Sequence, residues 1–319
     1  MFEDIIGNDQ LIKSLKNSIA KQTVTHAYIF DGDSGMGKSL IAKTFAKALI
    51  CSGQQRPCGV CSSCGAFDNN NHPDVMYIKR AKSTIGVDVI RDEITKTIDI
   101  KPYYGGHKII IVDDANSMTP QAQNAILKTL ENPPLYAVII FLSTNINDFL
   151  PTILSRAIVF KLKPLSKADI KYYLQKNGMD VDDFYLAYAS GNIGRLNKLL
   201  SDEEFISFRD EIIDFLINLE NQDINGVFAN YKLIENYKDK KNDLFGIMAL
   251  FYRDAIALSQ SGNILQKDKV VLLTKYAKNH SSTQLIKKLY AVKNAEDALR
   301  QNANFQLTME VMMLNIRKV

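Results

Sequence analysis

The sequence predicts an α/β domain built on a parallel sheet flanked by helices, followed by all-α segments. Three observations predict it. Nearly all-apolar runs of strand length alternate with amphipathic runs of helix length as far as residue 162, as a parallel sheet covered on both faces requires. A glycine loop ending in Lys38-Ser39 stands between one such strand and a helix. All eight prolines (57, 73, 102, 120, 133, 134, 151, 164) fall in the first 164 residues of 319, and ten of sixteen glycines lie before residue 107. A turn-rich first half therefore gives way to a proline-free second half.

Taken in order, Leu11, Leu15 and Ile19 form one face of a first helix, and residues 27–30 form an apolar strand. The glycine loop follows, then a helix over 38–49. After a cysteine-rich insert come a strand at 75–78, a helix at 87–98 and the β-branched strand 109–112. Thr119 can cap the next helix, and Pro120 suits its first position. Asn132-Pro133-Pro134 stops it, and strands at 137–142 and 158–162 complete the sheet. From Pro164 onward the pattern is helical only. Phe205, Phe208, Ile212, Phe215 and Leu219 recur at helical spacing, as do Phe305, Met309, Met312 and Ile316. With a polar break near residues 191–194, the expected division is 1–163, a small helical unit at 164–204 and a larger one at 205–319.

With 39 Lys+Arg against 35 Asp+Glu, the net charge of +4 excludes a polycationic tail protein. At 46% hydrophobic and 23% charged the chain is globular, not disordered. The longest apolar run, 137–142, is far short of the ~18 residues of a membrane span. The opening MFEDIIGNDQ has no basic stretch leading into an apolar core. The expectation is a cytoplasmic protein without a membrane partner.

The four cysteines are Cys51, Cys58, Cys61 and Cys64, spaced C-x6-C-x2-C-x2-C. Zinc takes four tetrahedral ligands, and two-residue gaps let neighbouring sulfurs of a tight turn face one ion. Pro57, Gly59 and Gly65 supply the turns. Four ligands leave no open position, so such a site is structural; unrelated free thiols or disulfides are the alternative.

Gly32-Asp33-Ser34-Gly35-Met36-Gly37-Lys38-Ser39 fits G-x-x-x-x-G-K-[ST]. In such a loop the glycines let backbone N–H groups curl around phosphates at a helix N-terminus. Lys38 reaches the β- and γ-phosphates and Ser39 ligates Mg²⁺. Asp113 and Asp114, after the strand at 109–112, supply the acidic end that Mg²⁺ needs. Asp113 is the metal candidate, and Asp114 sits where a base orients water.

Several stretches resemble the bacterial clamp-loader ATPase family. They are Phe2-Glu3-Asp4-Ile5-Ile6-Gly7, His26-Ala27-Tyr28-Ile29-Phe30, the cysteine insert, and the long run from Asn124 to Pro134. Leu150-Pro151-Thr152-Ile153-Leu154-Ser155-Arg156 and Asn302-Ala303-Asn304-Phe305-Gln306-Leu307 extend the likeness. The chain length and Asn71-His72-Pro73-Asp74 look like the delta-prime branch, with the usually longer gamma/tau branch as alternative.

The resemblance implies an AAA+ module, a helical lid and a C-terminal collar. It implies assembly with gamma/tau and delta subunits into a hetero-pentamer that places a sliding clamp on primed DNA. Arg156 matches the arginine donated in trans to ATP on a neighbouring subunit. Thr144, or Asn145 beside it, matches a polar sensor, and Arg195 lies one place beyond the family's arginine after the lid glycine. Asp114 stands where active members tend to carry Glu, and Ala157 follows Ser155-Arg156 where the family usually has Cys. These departures imply at most a weak ATPase, acting as stator and arginine donor; a gamma/tau-like motor is the alternative. A small-molecule P-loop kinase leaves the Ser-Arg motif and the insert unexplained. A zinc-based DNA reader has only Arg56, Lys79, Arg80 and Lys82 near the insert as its basic footprint.

Overall fold

The computed structural model describes residues 2–80, 83–104, 106–220, 222–301 and 303–318, with residues 224, 225, 227–230 and 300 described by backbone alone. Lys82 and Asn302 lie outside the described residues. The chain forms two compact units, Met1–Met179 with Gly191–Arg195, and Asp180–Ser190 with Leu196–Val319.

The first unit carries α1 (Asp9–Ala20), β1 (Ala27–Asp31), α2 (Lys38–Ile50), α3 (Ser62–Asp68) and β2 (Val75–Ile78). Next come α4 (Val87–Val89), a π-helical stretch Ile90–Thr95, α5 (Lys96–Ile98), β3 (Lys108–Val112) and α6 (Pro120–Glu131). It closes with β4 (Ala137–Ser143), α7 (Pro151–Leu154), β5 (Ile158–Lys161) and α8 (Lys167–Lys176). The five strands form one sheet in the order β2-β3-β4-β1-β5, with every pairing parallel.

Side chains along a strand alternate between faces, and the two faces bury separate cores. Tyr28, Phe30, Ile109, Ile111 and Ile140 pack with Leu15 of α1 and Phe45 of α2. Ile29, Ile110, Val112, Ile139 and Phe141 pack with Ile94, Ile126 and Leu130 on the other side. β1, β3 and β4 are the inner strands, and β3 and β4 are buried along their whole length. The expected α/β class is therefore the observed one. Thr119 caps α6, its hydroxyl accepting the Ala122 N–H, with Pro120 at the first helical position.

Two features of this unit were not foreseen. The helix expected over 87–98 widens into a π-helical turn at its centre, and the insert contains α3. In addition, Asp74 is buried and its carboxylate accepts the N–H groups of Tyr103 (2.7 Å) and Tyr104 (3.1 Å). This anchors the loop that leads into β3.

Among the described residues no strand follows Lys161, so the all-α second half is also as expected. The remaining helices are α9 (Asp183–Ala189), α10 (Ile193–Ser201), α11 (Phe205–Leu219), α12 (Ile224–Glu235), α13 (Lys241–Ser259), α14 (Val270–Lys278), α15 (Ser282–Arg300) and α16 (Phe305–Lys318). Phe205, Phe208, Ile212, Phe215 and Leu219 enter one core with Phe305, Met309, Met312 and Ile316. Inside it Glu220 gathers a polar group: Lys288 Nζ at 2.5 Å, His280 Nε2 at 2.7 Å and the Tyr276 hydroxyl. Lys288 is buried, and the carboxylate beside it offsets the cost of its charge.

Candidate functional site

Parallel strands bring their C-terminal ends to one edge of a sheet, where open α/β folds place their binding crevices. The residues singled out for phosphate and metal chemistry follow β1, β3 and β4 at that edge. The glycine loop joins Asp31 of β1 to Lys38, the first residue of α2. Gly35 (φ 87°) and Gly37 (φ 86°) adopt left-handed backbone that favours glycine. The N–H groups of Lys38 and Ser39 open α2 and have no carbonyl four residues back within it. The loop and helix end together form a cradle for an anion.

Lys38 is buried, and its ammonium donates to the carbonyls of Gly32 (2.5 Å) and Asp33 (2.9 Å). Burial pushes its pKa down, against the opposing pull of Asp113, Asp31, Asp33 and Asp114. Asp113, just after β3, accepts the Asp114 N–H on Oδ1 (3.1 Å) and the Tyr77 hydroxyl on Oδ2 (3.0 Å). The Tyr77 oxygen also lies 3.0 Å from Ser39 Oγ. Asp114, at φ 48°, pairs with Arg80 at 3.3 Å. Thr144 follows β4, its N–H and hydroxyl both directed at Asn116 Oδ1 (3.1 and 3.4 Å). Asn145 spends its side chain on Asn147 and Asp148.

By sequence, residues 191–194 are a polar break, and Arg195 lies just beyond the lid glycine of the family resemblance. In the structure the stretch opens α10 and lies on the glycine loop. Asn192 Nδ2 donates to the Ser34 carbonyl (2.7 Å), the Gly194 N–H donates to the Gly35 carbonyl (3.1 Å), and Asn192 Oδ1 accepts the Arg195 N–H (2.9 Å). A Cβ on Gly194 would stand 2.5 Å from Gly35 Cα, so only glycine permits this approach. A cavity of about 230 Å³ adjoins the same loop, lined by Ile5, Ile6, Met36, Leu40, Leu165 and Tyr173 among others. An apolar chamber beside an anion cradle can take a flat base whose phosphates run into the loop. Its lining was missed because it comes from segments far apart in the sequence.

Arg156 is elsewhere. β5 pairs with β1 so that Ile158 faces Tyr28 and Lys161 faces Asp31. Arg156 therefore precedes the N-terminal end of β5, while the glycine loop leaves the C-terminal end of β1. The three strand steps between Ile158 and Lys161 alone separate these edges by about 10 Å. Arg156 is held by the Thr152 carbonyl (2.9 Å), Ser155 Oγ (3.1 Å) and Glu131 (2.8 Å), all within its own unit.

The four cysteine sulfurs lie within 4.8 Å of one another, and no disulfide joins them. Ligand atoms about 2.3 Å from a tetrahedral ion stand just under 4 Å apart; Cys61 Sγ and Cys51 Sγ are 4.0 Å apart. Cys51 Sγ accepts the N–H groups of Gly53 and Cys58, and Cys61 Sγ accepts that of Cys64. Chiefly through the Cys64 N–H, Cys61 is pulled down to about 5, and Cys58 is also lowered, first by the Val60 N–H. Burial pushes Cys64 up to about 12. The donor set, spacing and thiolate stabilisation fit a soft divalent ion.

Residues 7–166 match the family described as DNA polymerase III, delta subunit, and residues 203–318 match the C-terminal domain of the same description. The chain is 35% identical over 175 residues to the DNA polymerase III subunit tau/gamma of Haemophilus influenzae, covering 54% of this chain and 25% of that protein. It is 28% identical to the tau subunit of Bacillus subtilis over 93% of this chain and 45% of that protein. With the delta' subunit of Bacillus subtilis it shares 27% identity over 97% of this chain and 96% of that protein. It thus spans less than half the length of these tau relatives and nearly all of the delta' one. No described helix is long and apolar enough to cross a membrane.

Proposed function

Since the chain belongs to the DNA polymerase III delta subunit family, we propose that it is a delta-prime-like clamp-loader subunit. In this reading it acts as a stator and lends Arg156 to the nucleotide site of a neighbouring gamma/tau subunit. One observation carries the reading: Arg156 and the chain's own glycine loop lie at opposite edges of the same sheet. An arginine there cannot serve its own site. Supplied to the next subunit, it stabilises charge on a transferring phosphoryl group.

The chain's own loop is read as a nucleotide site of low turnover. Lys38, the Ser39 hydroxyl, Asp113 and the first N–H groups of α2 are the groups that would hold phosphates and Mg²⁺; Mg²⁺ would neutralise phosphate charge. The residues fit this in kind, and the apolar cavity suits a base. Asp114 is one methylene shorter than a glutamate and is paired with Arg80, which supports slow chemistry rather than a motor. Near the loop, Asn192 and Gly194 fix the start of α10, so Arg195 enters this reading through its backbone position.

Cys51, Cys58, Cys61 and Cys64 would hold zinc, which would brace the insert without taking part in chemistry. The helical segment 164–204 is read as a lid and 205–319 as a collar for assembly with gamma/tau and delta subunits. Through that assembly the chain would act on the sliding clamp and primed DNA. Similarity to a delta' subunit along 97% of this chain and 96% of that protein supports this branch.

Purified chain titrated with a fluorescent ATP analogue tests the reading. Binding is expected, lost in Lys38→Ala, with turnover well below one per second. Turnover of several per second without partners, abolished in Lys38→Ala, would instead make this chain a gamma/tau-like motor.

A further inference from the structure

Arg156 is the residue lent to a neighbour in the proposed function, and two separate segments of the chain hold it. A guanidinium has five N–H donors. Nη1 gives to the Thr152 carbonyl (2.9 Å) and to Ser155 Oγ (3.1 Å), while Nη2 gives to Glu131 Oε1 (2.8 Å). Thr152 lies in α7 and Ser155 follows it, so both belong to the arginine's own turn of chain. Glu131 does not: it is the last residue of α6. The same two segments are joined a second time. The buried Gln123 of α6 donates to the Asp148 carbonyl (2.9 Å) and accepts the Leu150 N–H (2.8 Å), just before α7 opens. Gln123 and Glu131 are two helical turns apart, so α6 grips the arginine-bearing segment at points about 12 Å apart along its axis.

A carboxylate that masked the arginine would take two parallel N–H bonds across the guanidinium. Glu131 takes one, through a single oxygen. Among the described residues nothing accepts from Nε or from the second N–H of Nη2. The arginine and glutamate side chains are 35% and 47% exposed, and a pair this open adds little to stability. What the pair supplies is direction. A long arginine stem loses rotamer freedom when it is ordered, and a charge already held in place stabilises a transition state without reorganising.

We propose that Glu131 is a positioning residue for Arg156. Bonded to Nη2, it holds the guanidinium in one orientation while two N–H groups stay free for a neighbour's phosphoryl group. This rests on the trans-arginine reading given above and deepens it. In this role Glu131 acts through Arg156 and contacts no nucleotide.

The test is DNA-stimulated ATP hydrolysis by the complex reconstituted with partner subunits, clamp and primed DNA. The variants are Glu131→Ala, Glu131→Gln, Arg156→Ala and the double alanine variant, each first checked for assembly. Glu131→Ala should lower kcat about 3-fold or more, with KM for ATP within about 2-fold of wild type. Glu131→Gln keeps an oxygen acceptor and should fall closer to wild type. In the Arg156→Ala background, Glu131→Ala should change nothing further, since its only route is gone. Turnover of Glu131→Ala at or above wild type overturns the positioning role, as does an equal further loss in the Arg156→Ala background; both leave the trans-arginine reading intact. Wild-type turnover in Arg156→Ala overturns that reading and this proposal with it.

Discussion

At the scale of single residues, the contact between Gly194 and Gly35 is the tightest constraint around the loop. Both backbones are fixed, one by the start of α10 and one by the turn before α2, so neither can yield cheaply. Gly194→Ala should cost about 1–3 kcal/mol through overpacking and weaken nucleotide binding as the loop is displaced. Gly86→Ala, at φ −82° with open space around the new methyl, should change stability by no more than about 0.5 kcal/mol. Thermal melts of the two variants check this; equal melts would mean that Gly194 does not pack on the loop. The phosphate motif and the acidic pair could be read from sequence because each is a short run whose chemistry dictates its spacing. Gly194, Asn192 and Tyr77 could not. Their roles come from contacts with residues 36 to 159 positions away.

At the scale of elements, the strands were legible to within a residue or so because an inner parallel strand must be apolar along its length. The helix at 87–98 was legible as a helix but not as a π-helical turn, since Ile90, Ile94 and Ile98, four residues apart, suit either winding. Within the insert the four cysteines were plain, whereas α3 was not, its seven residues being too few for a periodic pattern. The insert also carries a prediction about metal. Purified chain should contain one zinc, and a strong chelator should lower its Tm by roughly 4–8 °C, the equivalent of about 2 kcal/mol. Cys61, lowered to about 5, is already a thiolate at neutral pH, while Cys64, raised to about 12, gives up its proton only to the ion. Metal uptake should therefore release protons and weaken as the pH falls. A chain that melts identically with and without chelator, and holds no metal, would leave the cysteines as free thiols.

At the scale of the whole molecule, the skewed proline and glycine content has a structural cause. The first unit needs turns for its loop, its insert and its strand ends, while the second is helices around one apolar core with the Glu220 group inside it. The modest net charge of +4 suits a subunit whose contact with DNA comes through an assembly. In the proposed function this chain serves a neighbour's nucleotide site with Arg156. The direct measurement is DNA-stimulated ATP hydrolysis by the complex reconstituted with its partner subunits, sliding clamp and primed DNA, comparing wild type with Arg156→Ala. The variant complex should assemble but lose about 10-fold or more of that hydrolysis. Equal hydrolysis by the two assembled complexes would contradict it.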